Sequence, residues 1–138
     1  MALNAQFLAD KSALARFPIA VVSARLRPLM EDGFIATCAI IDVEVLFSSR
    51  NLADYEAVLD ERRSLDSVPI TPAVMSRAIE LQHALARRSQ HRIPIPDLVI
   101  SAAAQVAGLV VLHYDADFER LSTIGGADHE WVVPQGSI

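Results

Sequence analysis

A single cysteine, Cys38, stands among 138 residues, so the chain closes no internal disulfide and builds no zinc site from two to four thiolates. It is expected to serve as a small buried hydrophobe. Long apolar runs are missing too: 52% of the residues are hydrophobic, yet no run approaches the ~18 residues needed to cross a bilayer. The opening MALNAQFLADKSALARF has no basic start followed by a long apolar core. That argues against a signal peptide and predicts a soluble, cytoplasmic protein with no membrane contact. Lysine occurs once, at Lys11, beside eleven arginines, and 17 acidic residues leave a net charge of −5. No global positive field therefore advertises nucleic-acid binding, and any such binding needs a local patch. GxSxG, the P-loop and GxGxxG are absent, and His83, His91, His113 and His129 show no HxxxH spacing.

What is present is an alternation of short apolar strands with longer helices, without internal repeat or low-complexity segment. The length suits one compact domain over 1–138. Strands are expected at 5–9, 34–38, 67–70 and 109–114, with an edge strand at 131–133. A helix opens after Asp10, and another starts around Pro18 with Ile19, Val22, Leu26, Leu29 and Met30 on one face. Further helices follow over 39–50, from Asn51 with a stripe of Leu52, Tyr55 and Leu59, and from Thr71-Pro72 to Arg88. The most apolar helix runs from Pro96-Asp97 to Gly108, and a short one spans 116–124. Strands alternating with helices imply a parallel sheet with right-handed crossovers.

In such a sheet, ligands bind beyond the carboxyl ends of the strands. The first strand delivers Asp10 to that edge, and the fourth delivers Asp115 and Asp117. Asp97 opens the helix that leads into the fourth strand, and a helix antiparallel to the next strand starts where that strand ends. Glu44 lies in the apolar run 39–50, where a carboxylate needs a partner. Each acid also has an ordinary use. Asp10 suits a turn, Asp97 a helix dipole, and Asp117 a cap for the helix from Phe118. Glu44 could pair with Arg50 or face solvent, and Asp42 is expected exposed or capping. One cause nevertheless covers four positions: a hard-oxygen site for Mg²⁺ or Mn²⁺, without His or Cys ligands. Metal-assisted phosphoryl chemistry is the class that remains. His113, the histidine nearest the acids, is expected to support the strand end rather than catalyse. Arg120 is the arginine nearest the acids, and Arg87, Arg88 and Arg92 form either a rim patch or a solvated helix end.

LADKSA (8–13), TCAIIDVEVLFSSR (37–50), IPDLVISAAA (95–104) and VLHYDADFERL (111–121) together resemble, in order, segments of the PIN-domain ribonucleases. The nearest likeness is to VapC-type toxins of bacterial toxin–antitoxin pairs, the mycobacterial and actinobacterial ones especially. The resemblance implies a three-layer α/β/α fold around a central, mainly parallel sheet, and cleavage of RNA by water activated on Mg²⁺ or Mn²⁺. It implies Asp10, Glu44, Asp97 and Asp115 as the catalytic acids. Asp10, Asp97 and Asp115 would be metal ligands, with Asp117 as an extra one and Glu44 direct or through water. Ser12 matches a hydroxyl beside the first acid, and Ser12, Arg120 and Arg92 are candidates for positioning substrate. The implied partners are RNA, a VapB-like antitoxin and a second copy of the chain, in a homodimer and a heterotetramer or larger assembly with antitoxin. The apolar surplus of 43–59 is the expected face for an antitoxin segment or second subunit. Two rivals are a non-catalytic dimerisation or antitoxin-binding module and a metal-dependent phosphatase, whose DxD motif DADFE resembles. That motif opens the phosphatase fold, whereas here it lies near the C-terminus.

Overall fold

The computed structural model describes residues 4–138. Among the described residues, five strands form one sheet: β1 (Phe7–Ala9), β2 (Ile35–Cys38), β3 (Asp66–Val68), β4 (Val110–His113) and β5 (His129–Trp131). Their order is β3-β2-β1-β4-β5, and every pairing is parallel. The seven helices are α1 (Lys11–Leu14), α2 (Ala20–Glu31), α3 (Ala39–Phe47), α4 (Leu52–Arg63), α5 (Pro72–Ala86), α6 (Ile95–Ala107) and α7 (Ala116–Thr123). This is the expected three-layer α/β/α arrangement.

Alternation along the strands builds the two cores. Leu8, Ala36 and Val111 face the larger one, with Ile41, Leu81, Ile100 and Phe118 from α3, α5, α6 and α7. Their neighbours Phe7, Ile35 and Leu112 face the other side, where Val22 and Leu26 of α2 cover the sheet with Val132. Both faces are covered at the centre of the sheet, so β1, β2 and β4 are mostly apolar while the edge strands β3 and β5 are not. Cys38 is fully buried, as a small hydrophobe should be. The small residues of α6 let it lie close on the sheet, and Gly108 ends it at φ 72°, where the N–H of Leu109 reaches back to the carbonyl of Ala104.

Several expected boundaries move. Pro18 precedes α2 rather than starting it, since Ile19 is the N-cap. The edge strand is β5 at His129–Trp131, because His113 pairs with Trp131, and Val132 only closes the ladder on the carbonyl of His113. The helix expected over 39–50 stops at Phe47, and Asn51 then caps α4 by accepting from the N–H of Asp54. The stripe of α4 leaves Leu52 and Tyr55 exposed, in keeping with the apolar surplus expected over 43–59, and the buried residue of α4 is Arg62. Among the described residues, no helix is long and apolar enough to cross a membrane.

Candidate active site

The sheet order reverses direction at β1, whose neighbours are β2 on one side and β4 on the other. A crevice opens at such a switch point, beyond the strand ends. Asp10 follows β1 directly, and its N–H donates to the carbonyl of Leu112 at 2.9 Å, which continues the β1–β4 ladder. Its carboxylate turns back on α1, where Oδ2 accepts the N–H of Ser12 at 3.0 Å. The Ser12 hydroxyl accepts the N–H of Tyr114 at 2.9 Å, so this one residue ties the ends of β1 and β4 together. Asp115 caps α7 by accepting the N–H of Asp117 at 3.0 Å. The cap expected of Asp117 thus belongs to Asp115, which keeps extended backbone while Asp117 is already helical. Asp117 instead pairs with Arg120 at 3.1 Å.

Asp97 lies in the first turn of α6 but makes no side-chain capping bond. It is buried, and its Oδ2 has no hydrogen-bond partner. Asp97, Asp115 and Asp117 each bring one carboxylate oxygen within 4.8 Å of the other two. Asp10 and Glu44 stand beside this triad rather than in it. Burial, then the charges of Asp10, Asp115, Asp117 and Glu44, push the Asp97 carboxyl up to about 8. Burial also raises Asp10, against hydrogen bonds from Ser12 and with help from Asp115. Glu44 is raised by burial and by Asp10, with Lys11 opposing, and its buried Oε1 lacks a partner. Like charges with unpaired oxygens form a site that a hard divalent cation fits.

The alternative pairing of Glu44 with Arg50 does not form, and Arg50 instead contacts Asp54 at 3.7 Å. Asp42 is neither exposed nor a cap: it accepts from Thr37 and from the buried Arg62, each at 2.8 Å. Arg62 sits in the run DERR, where nothing in the pattern distinguishes it from its exposed neighbours. Arg87, Arg88 and Arg92 are exposed, and no salt bridge ties them to an acid among the described residues. His113 is fully buried at the end of β4, and burial with the nearby His129 pushes it down to about 4, so it is neutral.

The sequence profile of the PIN domain matches residues 20–124. Asp10 precedes that stretch, and its place beside the cluster rests on the geometry above. The chain is 42% identical over 137 residues to ribonuclease VapC21 of Mycobacterium tuberculosis, covering 98% of this chain and 99% of that protein. It is 38% identical over 133 residues to ribonuclease VapC51 of the same species, with 96% and 97% covered. Among solved structures, VapBC2 from Rickettsia felis bound to a promoter DNA fragment superposes with a TM-score of 0.73. It covers 91% of this chain and 98% of that one, and at 18% identity the likeness concerns the fold.

Proposed function

The chain belongs to the PIN-domain family, and from that premise we propose that it is the ribonuclease toxin of a toxin–antitoxin pair. In this reading Asp97, Asp115 and Asp117 hold Mg²⁺ or Mn²⁺, with Asp10 and Glu44 completing the catalytic set. The carrying observation is Asp97, a buried carboxylate with an oxygen that no protein group satisfies and a pKa pushed up to about 8 by its neighbours. A cap would spend that oxygen on a backbone N–H. A site for a cation leaves it free.

When bound, the cation supplies acidified water and positive charge against the phosphodiester. The chain supplies the rest. Asp97 releases its proton as the cation enters, Asp115 and Asp10 are held rigid by α7 and α1, and Arg120 keeps Asp117 from turning away. Glu44 brings the unpaired Oε1 to the rim of the cluster, where it can accept a proton from the attacking water. Ser12 fixes the mouth of the site, and Arg92 with Arg87 and Arg88 offers exposed cations to the RNA backbone.

The same reading makes 1–138 one PIN unit that works in the cytoplasm and pairs with a second copy. A VapB-like antitoxin would seat on the arm formed by α3 and α4. Phe47 there is 87% exposed and Leu52 71%, beside a groove of ≈ 470 Å³. A metal-dependent phosphatase built on Asp115 and Asp117 fits poorly, because that nucleophile would follow the central first strand and these residues follow β4.

The test is RNA cleavage by purified protein freed of antitoxin. Cutting is expected in Mg²⁺ or Mn²⁺, to stop in excess chelator, and to be lost in Asp97→Asn. Cleavage undiminished by chelation would overturn the metal site.

A further inference from the structure

His113 ends β4 with its ring fully buried, and each ring nitrogen has its own partner. Nδ1 accepts the backbone N–H of Asp115 at 3.0 Å. Nε2 lies 2.8 Å from Nδ1 of His129, the first residue of β5. The rings of Phe118, His129 and Trp131 surround it with centroids 5.1, 5.0 and 4.8 Å away, so turning the imidazole would break both bonds at once.

These contacts determine where the protons sit. A backbone amide can only donate, so Nδ1 of His113 is bare, and the proton of the neutral ring is on Nε2. That proton is donated to Nδ1 of His129, which is therefore bare in turn. A single amide, that of Asp115, sets the tautomers of both rings.

Asp115 is consequently held at two points. His113 takes its amide, and the N–H of Asp117 takes one carboxylate oxygen. An apolar ring at 113 would fill the same volume and leave the amide without a partner, which packing alone does not explain.

We propose that His113 and His129 form a relay of two hydrogen-bonded imidazoles that locks the backbone of Asp115 and so fixes where its carboxylate meets a divalent cation. The relay rests on the metal-site reading above and adds to it two positioning residues, neither of which touches ion or substrate. Through it the edge strand β5 takes part in the site without contributing an acid.

Two measurements on the full-length protein test it. In metal-free protein with ¹⁵N-labelled histidine, His113 should show a proton on Nε2 and a bare Nδ1, and the opposite tautomer would overturn the relay. In calorimetric Mn²⁺ titrations, His113→Asn should fall between wild type and His113→Leu, because its Oδ1 can accept the same amide while the bond to His129 is lost. His113→Leu should bind Mn²⁺ at least about tenfold more weakly, the usual cost of losing a group that orients a ligand. Its kcat on RNA should fall with KM unchanged. If that variant does not fold, His129→Phe carries the test and should also weaken Mn²⁺ binding. Asn and Leu variants equally weak would make bulk the cause and overturn the relay. Unchanged Mn²⁺ affinity in the Leu and Phe variants would overturn it while leaving the metal site standing. A wild type that binds no Mn²⁺ would remove the metal-site reading, and the relay with it.

Discussion

Asp97 differs from Asp10 and Asp115 in having no backbone N–H to answer its charge, and this gives it a pH signature. Its folded pKa of about 8 stands well above the ~3.9 of an unfolded aspartate. Below the unfolded value both states carry the proton, and the stability it brings is fully present. As pH rises toward 8 the unfolded chain releases that proton first, so the stability is lost across this window. The upward shifts of Asp10 and Glu44 act in the same direction. Metal-free protein should therefore melt at a higher temperature at pH 5 than at pH 8, and Asp97→Asn should flatten that slope. Mn²⁺ at pH 8 should reverse the loss in wild type, by roughly 2.7 kcal/mol at a hundredfold excess over the dissociation constant, and much less in the variant. Melting curves at both pH values, with chelator and with Mn²⁺, measure all of this. An unchanged slope in Asp97→Asn would detach the pH dependence from the cluster. Asp10, Asp97 and Asp115 were legible in the sequence because each follows a strand or opens a helix at the same sheet edge, and Glu44 because a carboxylate inside an apolar run needs a partner. The division of labour among them was not legible. Whether Asp115 or Asp117 caps α7 turns on one extended backbone angle, and His129 enters the site only through the β4–β5 register.

At the scale of elements, the proposed reading has the arm formed by α3 and α4 separate fold from partner binding. Arg62 reaches from the end of α4 to Asp42 and Thr37 at 2.8 and 2.6 Å, which anchors the arm to the end of β2. Losing one partner of such a buried pair would strand a charge, so the anchor belongs to folding. Phe47 and Leu52 lie outside it and bury little, and Tyr55 beside them is partly exposed. Leu52→Asp with Tyr55→Asp should therefore leave the melting temperature close to wild type while abolishing co-purification with a co-expressed antitoxin. Retention of the antitoxin by this double variant would move its seat elsewhere. The helices most legible in the sequence are α5 and α6, which carry Thr71-Pro72 at one start and Gly108 at one stop, with long apolar faces between. The strand β5 was hard to place. Its three residues HEW show no apolar alternation, and it exists because β4 offers it a ladder.

For the whole molecule, a net charge of −5 and a mouth lined with carboxylates oppose the approach of RNA. In the proposed reading the cation would then serve as a docking element as well as a catalyst. Fluorescence anisotropy with labelled RNA and the variant Glu44→Gln, which keeps the carboxylate triad, should show binding in Mg²⁺ that falls sharply in chelator. Equal affinity in both would assign docking to the exposed arginines instead. The three-layer plan was legible because strands and helices alternate, while the central place of β1 was not, since strand order leaves no trace in local pattern. That central place has a consequence for the order of events during synthesis. The N–H of Asp10 bonds the carbonyl of Leu112, and Ser12 bonds Tyr114, so the first acid made finds its ladder partner about a hundred residues later. Pairings so distant in the chain form late and slowly. A chain stalled on the ribosome between residues 97 and 109 would carry Asp10, Glu44 and Asp97 but not β4, the strand that pairs with β1 and carries the remaining acids to their edge. In the proposed reading, a copy that stops short of β4 lacks Asp115 and Asp117, two of the three carboxylates that would hold the cation, and cannot assemble the site.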